Sequence, residues 1–232
     1  MDSTPWRRLR PALFAATAVL ALAACDTAEE RAEKHFESAL SLFEKGDVPR
    51  GRVELQNVFK LNPQHRQARA LMAKSLLDEG NLRDAYGQYT RLVEQYPDDI
   101  EGRLVLAEMS ILLNNWEASE PHAKALETLA PDNPRAQAVI FARDYRNSVV
   151  NKDADARRII ARKAEELAPA LPENVALRAI VVDSYFLDDA FPESLQAIDE
   201  LQSLAPEELR YYQMRLAIHT KLEDLQGMEE TL

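Results

Sequence analysis

An all-α repeat array is the fold class this sequence predicts, and three observations predict it. Proline recurs at Pro63, Pro97 and Pro131, 34 residues apart each time. Gly46, Gly80 and Asn114 recur with the same spacing. Glycine is otherwise rare and no stretch alternates apolar and polar residues for long, so no sheet is expected.

The period divides the chain. Residues 32–65, 66–99 and 100–133 align on one another without gaps. Residues 134–174 form a longer, irregular block of 41, residues 175–208 return to 34, and residues 209–232 are a partial sixth. Each block reads as two helices. In "ARALMAKSLLDEG", Ala70, Ala73, Leu76 and Leu77 fall at helical spacing. Gly80 ends that helix where a left-handed residue is wanted, and Asn81 caps the next. "LRDAYGQYTRLVEQYP" then places Ala85, Tyr89, Leu92 and Val93 on one side, and Pro97 closes it. Asp47, Asn115, Asp153 and Asp224 occupy the same cap slot as Asn81. Pro49 and Pro192 are expected at the first helical position, where a missing N–H does no harm. The irregular block has four extra residues around "RNSVVNKDA" and three around "ALPEN", which predicts a first helix one turn longer. Pro121, inside a second helix, predicts a late start or a bend.

This pattern resembles the tetratricopeptide repeat, over almost all of residues 32–232. The resemblance implies a right-handed superhelical solenoid in which a small residue at repeat position 8 meets one at position 20. Position 8 holds Ala39, Ala73 and Ala107, and position 20 holds Gly51, Ala85, Ser119 and Ser194. Position 32 holds Pro63, Pro97, Pro131 and, after the insertions, Pro169 and Pro206. Position 8 departs to Phe141 and Val182 in later repeats. Position 4, often tryptophan in the family, holds His35, Arg69, Arg103, Gln137 and Arg178. An arginine stem there is expected to cover apolar surface with its head in water.

The N-terminus reads differently. Arg7, Arg8 and Arg10 precede an apolar or small run from Pro11 to Ala24, the layout of a secretory signal and too short for a membrane-spanning helix. Leu22-Ala23-Ala24-Cys25 resembles the bacterial lipobox, and Cys25 is the single cysteine of the chain. Residues 1–24 are therefore expected to be a lipoprotein signal peptide. Residues 25–31 would be a lipidated cysteine and short tether, and residues 32–232 the repeat solenoid. Two or more acyl chains hold a protein stably on a bilayer. Asp26 resembles the inner-membrane retention signal of enteric bacteria, which favours the periplasmic face of the inner over the outer membrane.

Charge and chemistry narrow the function. The net charge is −11, and removal of residues 1–24, which carry +2, leaves about −13. Such acidity argues against a nucleic-acid partner. Of His35, His65, His122 and His219 none pairs at i, i+4 with another, and no HExxH, glycine-rich phosphate loop or GxSxG elbow is present. No catalytic residue, metal site or cofactor is expected. Acidic pairs such as Asp98-Asp99 and Asp188-Asp189 read as solvated helix ends.

The resemblance further implies a concave groove lined by the first helix of each repeat, at positions 2, 5, 6, 9, 12 and 13. The protein-binding candidates there are Phe36, Leu40, Phe43, Leu71, Lys74, Leu77, Leu104, Glu108, Ile111, Leu112, Tyr145 and Phe186, with Val139, Ile180, Asp183 and Leu187 beside them. The chain resembles the tetratricopeptide-repeat lipoproteins of envelope assembly, in pilus, outer-membrane and exopolysaccharide or protein-sorting systems. A membrane-tethered, non-enzymatic scaffold is expected; the alternative is a regulator of an envelope hydrolase or synthase that binds a folded domain. At the C-terminus, "LQGMEETL" reads as a stub interrupted by Gly227, unable to cover all of Tyr211, Tyr212, Met214, Leu216 and Ile218. Two outcomes stay open: self-association through this last repeat, or a chain that is the front of a longer repeat protein.

Overall fold

The computed structural model of the chain describes residues 26–232; the segment expected as a signal peptide and Cys25 lie outside the described residues. Twelve α helices and one short 3-10 turn, with no strand, make up the described residues. They belong to two compact units, one ending at Gln88 and the other beginning at Tyr89.

The first unit contains α1 (Ala28–Glu44), α2 (Val48–Leu61), α3 (Arg66–Asp78) and the opening turns of α4 (Leu82–Gln95). Thr27 starts α1 through a reciprocal capping box with Glu30, satisfying two amide donors that have no intrahelical partner. The segment expected as tether is therefore helical from Ala28. The core packs Ala32, Phe36, Ala39, Leu55, Val58, Ala68, Met72, Leu76 and Ala85. The small pairs behave as the repeat register requires. Ala39, Ala73 and Ala85 are fully buried, and a Cβ built on Gly51 would lie 2.9 Å from the Phe43 ring.

The second unit holds the rest of α4 together with α5 (Ile100–Leu112), α6 (Trp116–Leu129), α7 (Pro134–Val150) and α8 (Ala154–Leu167). It continues with α9 (Val175–Leu187), α10 (Phe191–Leu204), α11 (Leu209–Lys221) and α12 (Leu225–Thr231). The extra turn is where the sequence puts it: α7 has 17 residues, and α5, α9 and α11 have 13. The three residues added near "ALPEN" enter as the 3-10 turn Ala168–Ala170.

Every first helix ends in the same left-handed turn. Gly46 and Gly80 take it as expected, and so do Asn114, Lys152, Asp189 and Glu223. The next amide then reaches back to a carbonyl five residues earlier, as Asn81 does to Leu76 at 2.9 Å and Asp153 to Ser148 at 2.8 Å. The following cap side chain starts the second helix: Asp47, Asn81, Asn115, Asp153 and Asp224 each accept from the amide three residues on.

Several expectations need correcting. Pro49 and Pro192 sit second in their helices, after Val48 and Phe191, which still spares them an intrahelical donor. Pro121 does not delay α6, which begins at Trp116 like its counterparts. Gly227 does not interrupt α12. It is buried, and a Cβ there would fall 2.2 Å from the His219 ring, so glycine lets α12 close on α11. Tyr211 and Ile218 are buried, Met214 and Leu216 are half-buried, and of the five only Tyr212 is exposed.

Position 4 has a physical role that differs from the expected one. Arg69 is 6 % exposed; its guanidinium donates to the Pro63 carbonyl at 2.6 Å and lies 4.6 Å from the Phe59 ring centre. Arg103 donates to Pro97 and Gln137 to Pro131, at 2.6 and 3.0 Å. Arg178 reaches the Leu171 carbonyl at 3.3 Å. A donor on a long stem thus satisfies the loop carbonyl that proline leaves at the repeat junction. A second junction clamp also recurs. Arg52 binds the Ser75 carbonyl and Glu79, and Arg157 binds the Ser184 carbonyl and Asp188.

Candidate functional site

The structure separates the groove candidates by unit. In the first, Phe36 is core, Phe43, Leu71 and Leu77 are half-buried against that core, and Leu40 is exposed. Lys74 is exposed and pairs with Asp78 at 2.9 Å. In the second, Leu104 is buried in the core and Phe186 packs edge-on against Phe191. The remaining four, Glu108, Ile111, Leu112 and Tyr145, line one hollow of about 720 Å³.

That hollow is built from the first helices of successive repeats. α5 supplies Glu108, Ile111 and Leu112; α7 supplies Ala138, Val139, Ala142, Tyr145, Arg146, Val149 and Val150; α9 supplies Val175, Ala176, Ala179, Ile180 and Asp183; α11 supplies Arg210, Tyr211 and Met214. All but Val149, Val150, Val175 and Tyr211 occupy the inward positions predicted for the repeat. The volume arises because small residues stand at several of them: Ala138 and Ala142 on α7, Ala176 and Ala179 on α9. Phe36 fills the position of the first repeat that Ala138 and Ala179 hold in theirs. At the mouth, Leu112 and Val150 are 65 % and 64 % exposed.

The charges of the hollow are few and unevenly satisfied. Arg135 grips Glu108 with two bonds, at 2.9 and 2.7 Å, and Glu101 with two more, at 3.0 and 2.9 Å. Those carboxylates hold its guanidinium firmly protonated. Arg146 lies 5.4 Å from the Trp116 ring centre, a cation–π contact. Arg210 stacks on Tyr211 and meets Glu208 at 3.4 Å. Asp183 accepts from the Tyr145 hydroxyl at 2.8 Å. Burial pushes the Asp183 carboxyl up, against the opposing pull of that bond and of the Arg157 charge. Burial, then the neighbouring Asp183 charge, pushes the Tyr145 phenol up as well, so it stays a donor.

Trp116, Ala138, Ala142, Arg210, Tyr211 and Met214 line the hollow without having been named as groove residues from the sequence. The two alanines fall at inward positions 5 and 9, so the repeat register contained the signal; Trp116 opens a second helix and carries none. Among the described residues no three His, Cys, Asp or Glu side chains gather where they could hold a metal ion.

Comparison with known proteins bears on the fold. Residues 30–103 match the tetratricopeptide repeat family model. No curated protein matches the chain in sequence. Among solved structures it is similar to PilF of Pseudomonas aeruginosa, with a TM-score of 0.56 at 12 % identity over 88 % of this chain and 90 % of that one. It is similar to PilW, a type IV pilus biogenesis factor, with a TM-score of 0.55 at 13 % identity over 86 % and 90 % of the two chains. It is also similar to YrrB, a repeat protein with an unusual peptide-binding site, with a TM-score of 0.55 at 11 % identity over 81 % and 90 %. Residues 30–103 thus match the tetratricopeptide repeat, and the described residues share the helical-repeat fold of these solved structures.

Proposed function

We propose that this protein is a membrane-tethered scaffold that holds protein partners during assembly of a bacterial envelope structure, gripping them in the groove of the second unit. The observation that supports the reading is the hollow itself, open, mostly apolar, and edged by the exposed Leu112 and Val150. Apolar surface of this kind marks a docking site. The fold is shared with PilF and PilW, which is consistent with an envelope role but does not assign one. Binding is the activity proposed.

The tether in this reading is lipid on Cys25, at the periplasmic face of the inner membrane. No helix among the described residues is long and apolar enough to cross a bilayer. Because α1 begins at Ala28, only Asp26 and Thr27 stand between that lipid and the first helix, a reach of about 7 Å. The first unit would then lie against the headgroups.

Two measurements test the proposal. A photo-crosslinking residue at Leu112 or Val150 is expected to capture a discrete protein in living cells, and one at the exposed Val53 of the first unit is not. Equal capture from Val53 removes the groove as the site. Metabolic labelling with a palmitate analogue is expected to mark the wild-type chain and not Cys25→Ser; label retained in the variant refutes the anchor.

A further inference from the structure

The groove carries one feature that plain apolar docking does not explain. Asp183 stands at inward position 9 of α9, among Ala142, Ala179 and Ile180. Its Oδ2 takes the Tyr145 hydroxyl; Oδ1 accepts no hydrogen bond among the described residues, and no cation lies within ion-pair distance of either oxygen. Arg157 on α8 is the cation whose charge reaches it, but that guanidinium is bound to the Ser184 carbonyl and to Asp188, and the lining charges do not pair with Asp183 either. Arg146 is turned onto Trp116, Arg210 onto Tyr211 and Glu208, and Glu108 is held by Arg135. Glu173 adds a further carboxylate to the lining. A half-buried carboxylate in apolar surroundings gains strongly from a cation brought to it, because low local polarity strengthens the attraction.

We infer that the partner segment held in this groove presents apolar side chains around a single lysine, whose ammonium pairs with Asp183. This rests on the groove reading above and adds the chemistry of its occupant. Lysine fits better than arginine. One carboxylate oxygen is already engaged by Tyr145, and a guanidinium fork seeks both, whereas an ammonium is a point charge that needs one. The apolar flanks would lie on Ile111, Val139 and Ile180 and reach the exposed Leu112 and Val150 at the mouth.

Trp116 lines the groove, and the chain has one other tryptophan, Trp6. Trp6→Phe in the full chain, held in neutral phosphatidylcholine vesicles, therefore makes Trp116 emission a reporter of occupancy. The probes are two synthetic amphipathic peptides with leucines at helical spacing, without tryptophan, differing only in a central lysine or norleucine. The lysine peptide is expected to bind about tenfold more tightly, as a charge-assisted bond implies. Asp183→Asn, which keeps an acceptor for Tyr145, is expected to erase that preference while leaving the norleucine peptide unchanged. Tyr145→Phe, which removes the competing hydroxyl, is expected to retain it. Equal binding of the two peptides to the wild-type chain, or a lysine preference that survives Asp183→Asn, overturns the inference and leaves the groove reading in place. No change in Trp116 emission with either peptide overturns both.

Discussion

The two units use the same helical register to opposite ends. In the first, Phe36 fills inward position 5, Phe43 lies over Gly51, and Leu71 and Leu77 lean on the same core. In the second, Ala138, Ala142, Ala176 and Ala179 stand at inward positions, and the larger Ile111, Tyr145 and Tyr211 border the space they leave. Side-chain size separates the two faces, core from groove, only in part: position 5 is also small in the second repeat, at Ala70, and large in the third, at Leu104, and Ala138, Ala142 and Tyr145 are core as well as lining. The backbone pattern is indifferent to the choice: both units carry the same cap asparagines and aspartates, the same left-handed turns and the same donor from position 4 to the preceding loop.

The largest expected effect tests this contrast directly. Ala73 and Ala85 are fully buried. Ala73→Leu and Ala85→Leu should each cost about 1–3 kcal/mol, since overfilling a close helix contact forces the axes apart. Ala179, half-buried and facing the hollow, should accept leucine within about 0.5 kcal/mol, because the added atoms enter open volume. Urea denaturation of the three variants measures it. Equal losses at Ala85 and Ala179 would mean the second unit is as tightly filled as the first.

A smaller effect belongs to the second unit alone. His122 on α6 is half-buried with Nδ1 unpartnered, and burial, helped by the Arg103 charge, lowers its pKa to about 4. The folded state therefore binds fewer protons than the unfolded chain between pH 4 and the ordinary histidine value near 6.5. Stability contributed by the neutral ring is complete above about pH 6.5 and is lost as pH falls toward 4. Discounted for partial exposure, the loss should be about 1–2 kcal/mol. His122→Phe should flatten the melting temperature over this range; an unchanged slope would exclude His122 as the cause.

Much of this was legible in the sequence because punctuation residues carry it. Pro63, Pro97 and Pro131 set the period, Asp47 to Asp224 mark the caps, and the insertion in the fourth block correctly lengthened α7. The groove was half legible. Its inward positions followed from the register, yet Phe36, Leu71, Leu77 and Leu104 occupy those positions and belong to cores. Whether an inward residue is exposed depends on the volume of its neighbours from other helices, which no single repeat displays. Asp183 was noted as inward-facing, but its bond to Tyr145 joins residues 38 apart. Arg69 was expected to hold its head in water. The Pro63 carbonyl that it satisfies is six residues back, across a loop whose path the sequence does not draw.

The smallest effect concerns the left-handed turns, where the two units differ again. The first unit places Gly46 and Gly80 there, at φ of 76° and 80°. The second uses Asn114, Lys152, Asp189 and Glu223, at φ between 55° and 57°. An L side chain in this region brings Cβ close to the following carbonyl oxygen, at a cost of about 1–2 kcal/mol that glycine escapes. Glycine also loses more backbone freedom on folding, which returns part of the gain. Lys152→Gly, Asp189→Gly and Glu223→Gly should therefore each stabilise the second unit by about 0.5–1 kcal/mol. Asn114→Gly should gain less, because asparagine tolerates the conformation best of the four. The reverse change, Gly80→Lys, should destabilise the first unit by a similar amount through backbone strain alone, since a Cβ at Gly80 meets nothing within 4 Å. Thermal melting of the four glycine variants gives the order. If Lys152→Gly destabilises, its side chain makes a contact worth more than the strain, and the turns of the second unit are not interchangeable with those of the first.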